Sequence, residues 1–193
     1  MKLVIIAGPN GAGKSTAAPR LLRGALGVER FVNADTVARG LDAFQPERVA
    51  FTAGRVMLER LRELSGSGTD FAFETTLASR TFAPWVRHLK QQGYELHLVF
   101  LHLPSSEMAV SRVADRVRLG GHDVPKATIR RRYIRSLNNF FALYRPLADS
   151  WWFYENSRET PDLLACGFLT HEGETRELII DPSTWQGLQE TYT

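Results

Sequence analysis

Cysteine is nearly absent: Cys166 is the only one among 193 residues, so neither a disulfide framework nor a cysteine-rich zinc site is available. It lies in the mostly apolar run Leu163-Leu164-Ala165-Cys166-Gly167-Phe168, where a small core filler is expected. Long hydrophobic runs are missing too, none approaching the roughly 20 residues that cross a bilayer. Met1-Lys2 leads directly into a short apolar segment, which predicts a cytoplasmic protein without membrane association. There is no internal repeat, low-complexity tract or linker, so one domain over 1–193 is expected. With 44% hydrophobic residues the chain can bury a core without a structural metal. The net charge is only +3, and its excess is local, with arginines crowded between Arg112 and Arg145. Such a cluster favours a phosphate-rich small substrate over a nucleic-acid stripe.

Apolar runs and helical periodicities alternate along what remains. Leu3-Val4-Ile5-Ile6-Ala7 reads as a buried central strand, followed by a helix from about Lys14. Arg30 to Ala34 predicts a second strand, and Glu47 to Leu64 a helix stopped by Ser65-Gly66-Ser67-Gly68. Phe71-Ala72-Phe73 and Leu96 to Leu103 supply two more strands around a helix from about Phe82 to Gln92. Helices near Ser105–Arg118 and Lys126–Tyr144 flank the break Gly120-Gly121-His122-Asp123-Val124-Pro125. Trp151 to Tyr154 reads as a fifth strand, its aromatics serving packing, and a hairpin is expected at about 164–181. The fold class is therefore α/β, a doubly wound parallel sheet with a helical lid at about 112–135 and a C-terminal β-hairpin.

The most specific motif sits between the first strand and first helix. Gly8-Pro9-Asn10-Gly11-Ala12-Gly13-Lys14-Ser15-Thr16 has the spacing of a P-loop NTPase. Its glycines let successive backbone N–H groups turn onto phosphate oxygens at a helix N-terminus. Lys14 is placed to reach the β- and γ-phosphates of ATP, and the Ser15 hydroxyl to ligate Mg²⁺.

Which P-loop class this is depends on carboxylates. The loop wording resembles that of ABC-type ATPases, but the strand Leu98-Val99-Phe100-Leu101-His102-Leu103 ends in Pro104 without the acidic residue they use. No Asn-Lys-x-Asp guanine reader is present. Asp35 and Glu74 follow the second and third strands, and in open α/β sheets ligands gather outside the carboxyl ends of strands. Phosphoryl transfer to an alcohol needs a group to accept the hydroxyl proton and another to hold the metal. Asp35 is the candidate base, or else an N-cap of the next helix. Glu74 is the candidate metal or substrate ligand, or else a solvated loop carboxylate. Arg112 and Arg116, four apart on one helical face, are candidates to contact ATP from a lid. Arg132, Arg135, Ser136 and Asn139 align as a polar strip on the next helix, while Asn156 and Ser157 could flank adenine.

The phosphate loop, Asn33-Ala34-Asp35-Thr36, Phe73-Glu74-Thr75-Thr76 and the arginine-rich segment together resemble the zeta toxin family of bacterial P-loop kinases, from about Lys2 to Asn156. The resemblance implies ATP and Mg²⁺ as cofactors and a hydroxyl of UDP-N-acetylglucosamine, or a related nucleotide sugar, as acceptor. It implies Asp35 as catalytic base, Glu74 and Thr76 as a substrate-side Glu-x-Thr pattern, and Arg80 as a loop arginine. An antitoxin protein is the partner such kinases imply. The rival expectation is an ABC-like or DNA-associated ATPase that couples ATP binding to partner binding.

Overall fold

The computed structural model describes residues 1–170 and 172–192; His171, inside the expected hairpin, and Thr193, the end of the expected domain, lie outside the described residues. Seven strands form one sheet: β1 (Lys2–Ala7), β2 (Phe31–Val32), β3 (Phe71–Thr75), β4 (Glu95–His102), β5 (Ser150–Glu155), β6 (Asp162–Leu169) and β7 (Thr175–Ile179). Their order is β2-β3-β1-β4-β5-β6-β7. The first five are parallel neighbours, and β6 and β7 add on antiparallel. The chain leaves β1 toward β2 on one side and β4 toward β5 on the other. A crevice therefore opens above the carboxyl ends of β1 and β4.

Helices α1 (Lys14–Arg20), α2 (Ala34–Leu41), α3 (Ala50–Gly66), α4 (Phe82–Gln91), α5 (Ser106–Arg118), α6 (Lys126–Asn139) and α7 (Pro182–Tyr192) fill the connections. Strand β1 is buried from Leu3 to Ala7 and β4 from Leu98 to His102, as expected of strands covered on both faces. Among the described residues no helix is long and apolar enough to cross a membrane.

Several boundaries move for identifiable reasons. Strand β2 stops at Val32 because Asn33 leaves the ladder and caps α2, its side chain accepting from the N–H groups of Asp35 and Thr36. The helix expected to run to Tyr144 is regular only to Asn139 and widens into a π-turn at Phe140–Tyr144. Apolar periodicity gives no warning of α7, which starts from an Asp181 cap, with Thr184 N–H donating to Asp181 Oδ1 at 3.1 Å, and a proline in its first turn. Cys166 is only partly buried, opposite Leu178 in the β6–β7 ladder, so it does not act as core filler.

An aromatic cluster ties α7 to the sheet. Trp185 lies nearly parallel to Trp151, ring centroids 5.3 Å apart, and edge-on to Phe140 and Phe153. The Arg145 guanidinium sits 5.6 Å from the rings of both Phe141 and Trp151. Such pairs add roughly 0.5–1.5 kcal/mol each beyond burial, which explains how a short helix stays docked.

His102, at the end of β4, is buried against Phe153 and Tyr133, and burial pushes its imidazole down to about 4. An imidazole kept neutral by the fold protonates first in the unfolded chain, near its ordinary value of about 6.5. Stability is therefore lost as pH falls through the window from about 6.5 to about 4 and levels off below it, for a total on the order of 3 kcal/mol. Urea titrations across that window should show a shallower acid loss in His102→Leu than in the wild type. Equal slopes would remove His102 as a source of acid sensitivity.

Candidate active site

The phosphate loop is shaped by what its glycines permit. Gly8 has φ 140° and a Cβ there would collide with the Leu101 carbonyl. Gly13 has φ 78°, and its Cβ would come within 2.6 Å of Asn156 Nδ2. Left-handed backbone and close approach coincide at both positions, so only glycine fits. Gly13 is also the N-cap of α1 and offers no side chain to its first turn.

Four polar side chains meet just inside this loop. Lys14 is buried; its Nζ donates to the Pro9 carbonyl at 2.9 Å and lies 3.7 Å from Glu74 Oε1. Burial pushes the Lys14 ammonium below its usual range, while Glu74 and Asp35 oppose that shift and Arg116 adds to it. The Ser15 hydroxyl donates to Glu74 Oε2 at 2.8 Å, and Asn33 Nδ2 donates to the same oxygen at 2.6 Å. Asn33 Nδ2 also lies 3.3 Å from Ser15 Oγ. Glu74, within β3, is thus a partly buried carboxylate held against the lysine and serine of the phosphate loop rather than a solvated loop residue. A hydroxyl and a carboxylate are hard oxygen donors of the kind Mg²⁺ prefers, so this pair fits the cation.

Asp35 is in the first turn of α2 and exposed, and the capping role it could have taken belongs to Asn33. Its carboxylate is one of the charges felt by Lys14 and by Arg132 of α6. Burial and the neighbouring Arg131 push the half-buried Arg132 below its usual value, and Asp35 opposes them.

The two arginines expected in a lid, one helical turn apart on α5, make different contacts. Arg112 donates from Nη1 to the Asn156 carbonyl at 2.6 Å and from Nη2 to the Ser157 carbonyl at 2.7 Å. Asn156 in turn donates from Nδ2 to the Ala12 carbonyl of the phosphate loop at 2.8 Å. Arg116 donates from Nη2 to the His122 carbonyl at 2.7 Å, and its buried Nε has no partner among the described residues. Gly121 makes this possible, since a Cβ there would press on Arg116 Cγ at 2.6 Å.

Two cavities are lined in part by α5, and the first of them borders the loop. One, of about 510 Å³, is lined by Gly13, Thr16 and Ala17 of the loop and α1 and by Arg112, Tyr154 and Asn156. The other, of about 520 Å³, is lined by Asp35, Arg39, Phe44, Glu47, Arg116 and His122. Asp35 and Arg116 are walls of the second cavity, and their charges act on Lys14.

Other expected residues fall elsewhere. Thr76 accepts from Ala78 N–H at 3.5 Å, a local turn contact. Arg80 is exposed and donates from Nε to Asn139 Oδ1 at 3.4 Å, with no recorded bond to the Lys14 and Glu74 group among the described residues. The polar strip of α6 is only in part a solvent face: Arg135 is exposed, whereas Ser136 and Asn139 are buried. Asn139 Nδ2 donates to the Leu77 carbonyl at 2.8 Å, and Tyr144 to the Ser79 carbonyl at 2.9 Å, which pins the loop after β3 onto α6. Asn33 was not among the expected site residues, and could have been found as a buried-strand asparagine immediately before a helix.

Known proteins supply the frame for this geometry. The sequence model of a family described as an AAA domain matches residues 3–135. A Haemophilus influenzae protein described as uncharacterized is 25% identical over 134 residues, which is 68% of this chain and 92% of that protein. Among solved structures, the AvrRxo1-ORF1:AvrRxo1-ORF2 complex with sulphate ions aligns with 97% of this chain at a TM-score of 0.74 and 15% identity. This chain spans 63% of the length of that one. The same pair is known with ATP, at a TM-score of 0.72. The PezAT chromosomal toxin-antitoxin system of Streptococcus pneumoniae aligns with 100% of this chain and 78% of its own, at a TM-score of 0.59 and 15% identity. The fold is that of an α/β P-loop NTPase with a mostly parallel sheet and C-terminal antiparallel strands.

Proposed function

Starting from a chain that belongs to the AAA domain family, we propose an ATP-dependent phosphotransferase that moves the γ-phosphoryl group to a hydroxyl of a small molecule. The observation that carries this reading is the second cavity. A protein that only hydrolyses ATP needs one nucleotide pocket, whereas here a separate space of about 520 Å³ is walled by a carboxylate and an arginine whose charges act on Lys14. The cavity beside Gly13, Thr16 and Asn156 is then the adenosine side, and the ATP complex of the AvrRxo1 pair supports nucleotide binding on this fold.

In this reading the loop amides and Lys14 hold the phosphates. Asp35 takes the proton of the acceptor hydroxyl, whose oxygen forms a bond to the γ-phosphorus as the bond to the β-phosphate oxygen breaks and ADP leaves. Arg116, with only Nη2 bonded to the protein among the described residues, lines the second cavity and would present its guanidinium to a phosphoryl oxygen there. Arg112, with two nitrogens on backbone carbonyls, positions the adenosine-side loop. Ser15 and Glu74 would hold Mg²⁺, which when bound neutralises phosphate charge. Thr76 and Arg80, on the loop that follows β3, keep a substrate-side role only as the family resemblance implies it. The finer reading is a nucleotide-sugar acceptor of the zeta toxin kind, with an antitoxin as partner. The toxin-antitoxin composition of the PezAT system supports the partner.

The test is mass spectrometry of a metabolite extract incubated with protein, ATP and Mg²⁺. The expected result is a small molecule that gains one phosphoryl group with stoichiometric ADP, and loss of both in Lys14→Ala with the fold intact by circular dichroism. ATP consumed equally with and without extract, with no phosphorylated product, would sink the kinase reading.

A further inference from the structure

We propose that Asn33 is a positioning residue that sets Glu74 against Ser15 on the metal side of the site and, with the same amide, fixes the start of the helix that carries Asp35. The inference rests on the kinase reading of this site and adds a residue to it.

The orientation of the Asn33 amide is decided by its partners. Oδ1 accepts from the backbone N–H of Asp35 at 2.8 Å and of Thr36 at 3.3 Å, so the oxygen must face α2. Nδ2 is then left facing Glu74 Oε2 at 2.6 Å and Ser15 Oγ at 3.3 Å. A flipped amide would set an NH₂ group against two N–H donors and an oxygen against a carboxylate, which is repulsive at both ends. Asn33 is also buried, 6% exposed, so water cannot readily replace either set of bonds.

Residue type follows from this double duty. Capping alone is satisfied by Ser, Thr, Asp or Asn. Of these, asparagine joins two acceptor lone pairs for the helix to an NH₂ group that donates to a carboxylate from the same rigid plane. Ser and Thr have one hydroxyl for both tasks, and Asp has no donor when ionised. Glu74 needs such a donor because its other oxygen faces Lys14 at 3.7 Å, which leaves Oε2 to be shared between Ser15 and Asn33. Without Asn33, Glu74 keeps its two contacts to the phosphate loop but loses the bond that fixes the tilt of its carboxylate. Partners that orient a metal-side ligand from behind are commonly worth roughly 10–100-fold in metal affinity.

The experiment measures ATP affinity by calorimetry with and without Mg²⁺, and thermal midpoints, for wild type, Asn33→Ser, Glu74→Gln and the double variant. The expected result is a thermal midpoint near wild type for Asn33→Ser, since serine still caps, with the Mg²⁺ enhancement of ATP binding reduced about tenfold. The double variant should lose no more enhancement than Glu74→Gln alone, because Asn33 acts through Glu74. Wild-type enhancement in Asn33→Ser, or losses that add in the double variant, would overturn the inference and leave the kinase reading standing. A wild-type protein that binds no ATP would overturn both.

Discussion

Asp35→Asn should slow phosphoryl transfer by roughly 10²–10⁴-fold, the usual worth of a general base, while ATP and Mg²⁺ still bind. Asparagine keeps the size of aspartate and most of its hydrogen bonding, but cannot take the acceptor's proton. The sequence alone leaves a capping role open, under which the exchange would be nearly silent. The structure gives that cap to Asn33 and leaves the Asp35 carboxylate exposed at the second cavity, among the charges felt by Lys14. Loss of its charge from the first turn of α2 should cost stability only on the order of 0.3–1 kcal/mol. Acceptor-dependent ADP release, measured beside ATP binding, separates the outcomes. Transfer at the wild-type rate would remove Asp35 as the base, and a rate recovered by added Mg²⁺ would make it a metal-side residue instead.

Arg116→Ala should lower the maximal rate on the order of 10³-fold, in the range known for arginines that meet the transferring phosphoryl group. Arg112→Ala should instead chiefly raise the KM for ATP. The contrast comes from bonding and placement: both terminal nitrogens of Arg112 are committed to the carbonyls of Asn156 and Ser157, whereas Arg116 has one bond among the described residues, Nη2 to the His122 carbonyl, and lines the second cavity. Part of the Arg116 loss could arise from the loop it ties down through the His122 carbonyl. Arg116→Lys checks this, because a lysine retains charge but lacks the fork that joins loop and phosphate. Steady-state kinetics with the acceptor found in the extract decide the matter. Equal effects of the two alanine variants on maximal rate would erase the division of labour.

Sequence reading reached the parts of this molecule in which chemistry is local. The run Leu3 to Ala7 followed by Gly8 to Ser15 carries its strand, its turn and its helix start within one segment, and the parallel sheet follows from similar alternation downstream. It faltered where one residue serves two distant partners. Asn33 ends β2 early because it caps α2, and its bond to Glu74 crosses 41 residues of chain. Asn139 and Ser136 look like surface polarity along α6, yet they are buried because the carbonyl they serve, in the case of Asn139, belongs to Leu77. Arg112 and Arg116 share a helical face, so spacing could not foresee that one would hold a loop and the other keep a donor free. Helix α7 escaped because Trp185 is its sole buried residue, too little for a periodic signal, although Asp181-Pro182-Ser183-Thr184 is a readable helix start.

The spacing of the two lid arginines has a thermodynamic corollary. Arg112 lines the cavity beside Gly13 and Arg116 the cavity beside Asp35, and they are separated by about 6 Å of one rigid helix. A shift of α5 that tightens the grip on one substrate must move the residue facing the other. In the proposed reaction the two binding events are then linked through α5, and linkage is reciprocal. Whatever factor ATP contributes to the affinity for the acceptor, the acceptor must return to the affinity for ATP, in whichever order the two arrive.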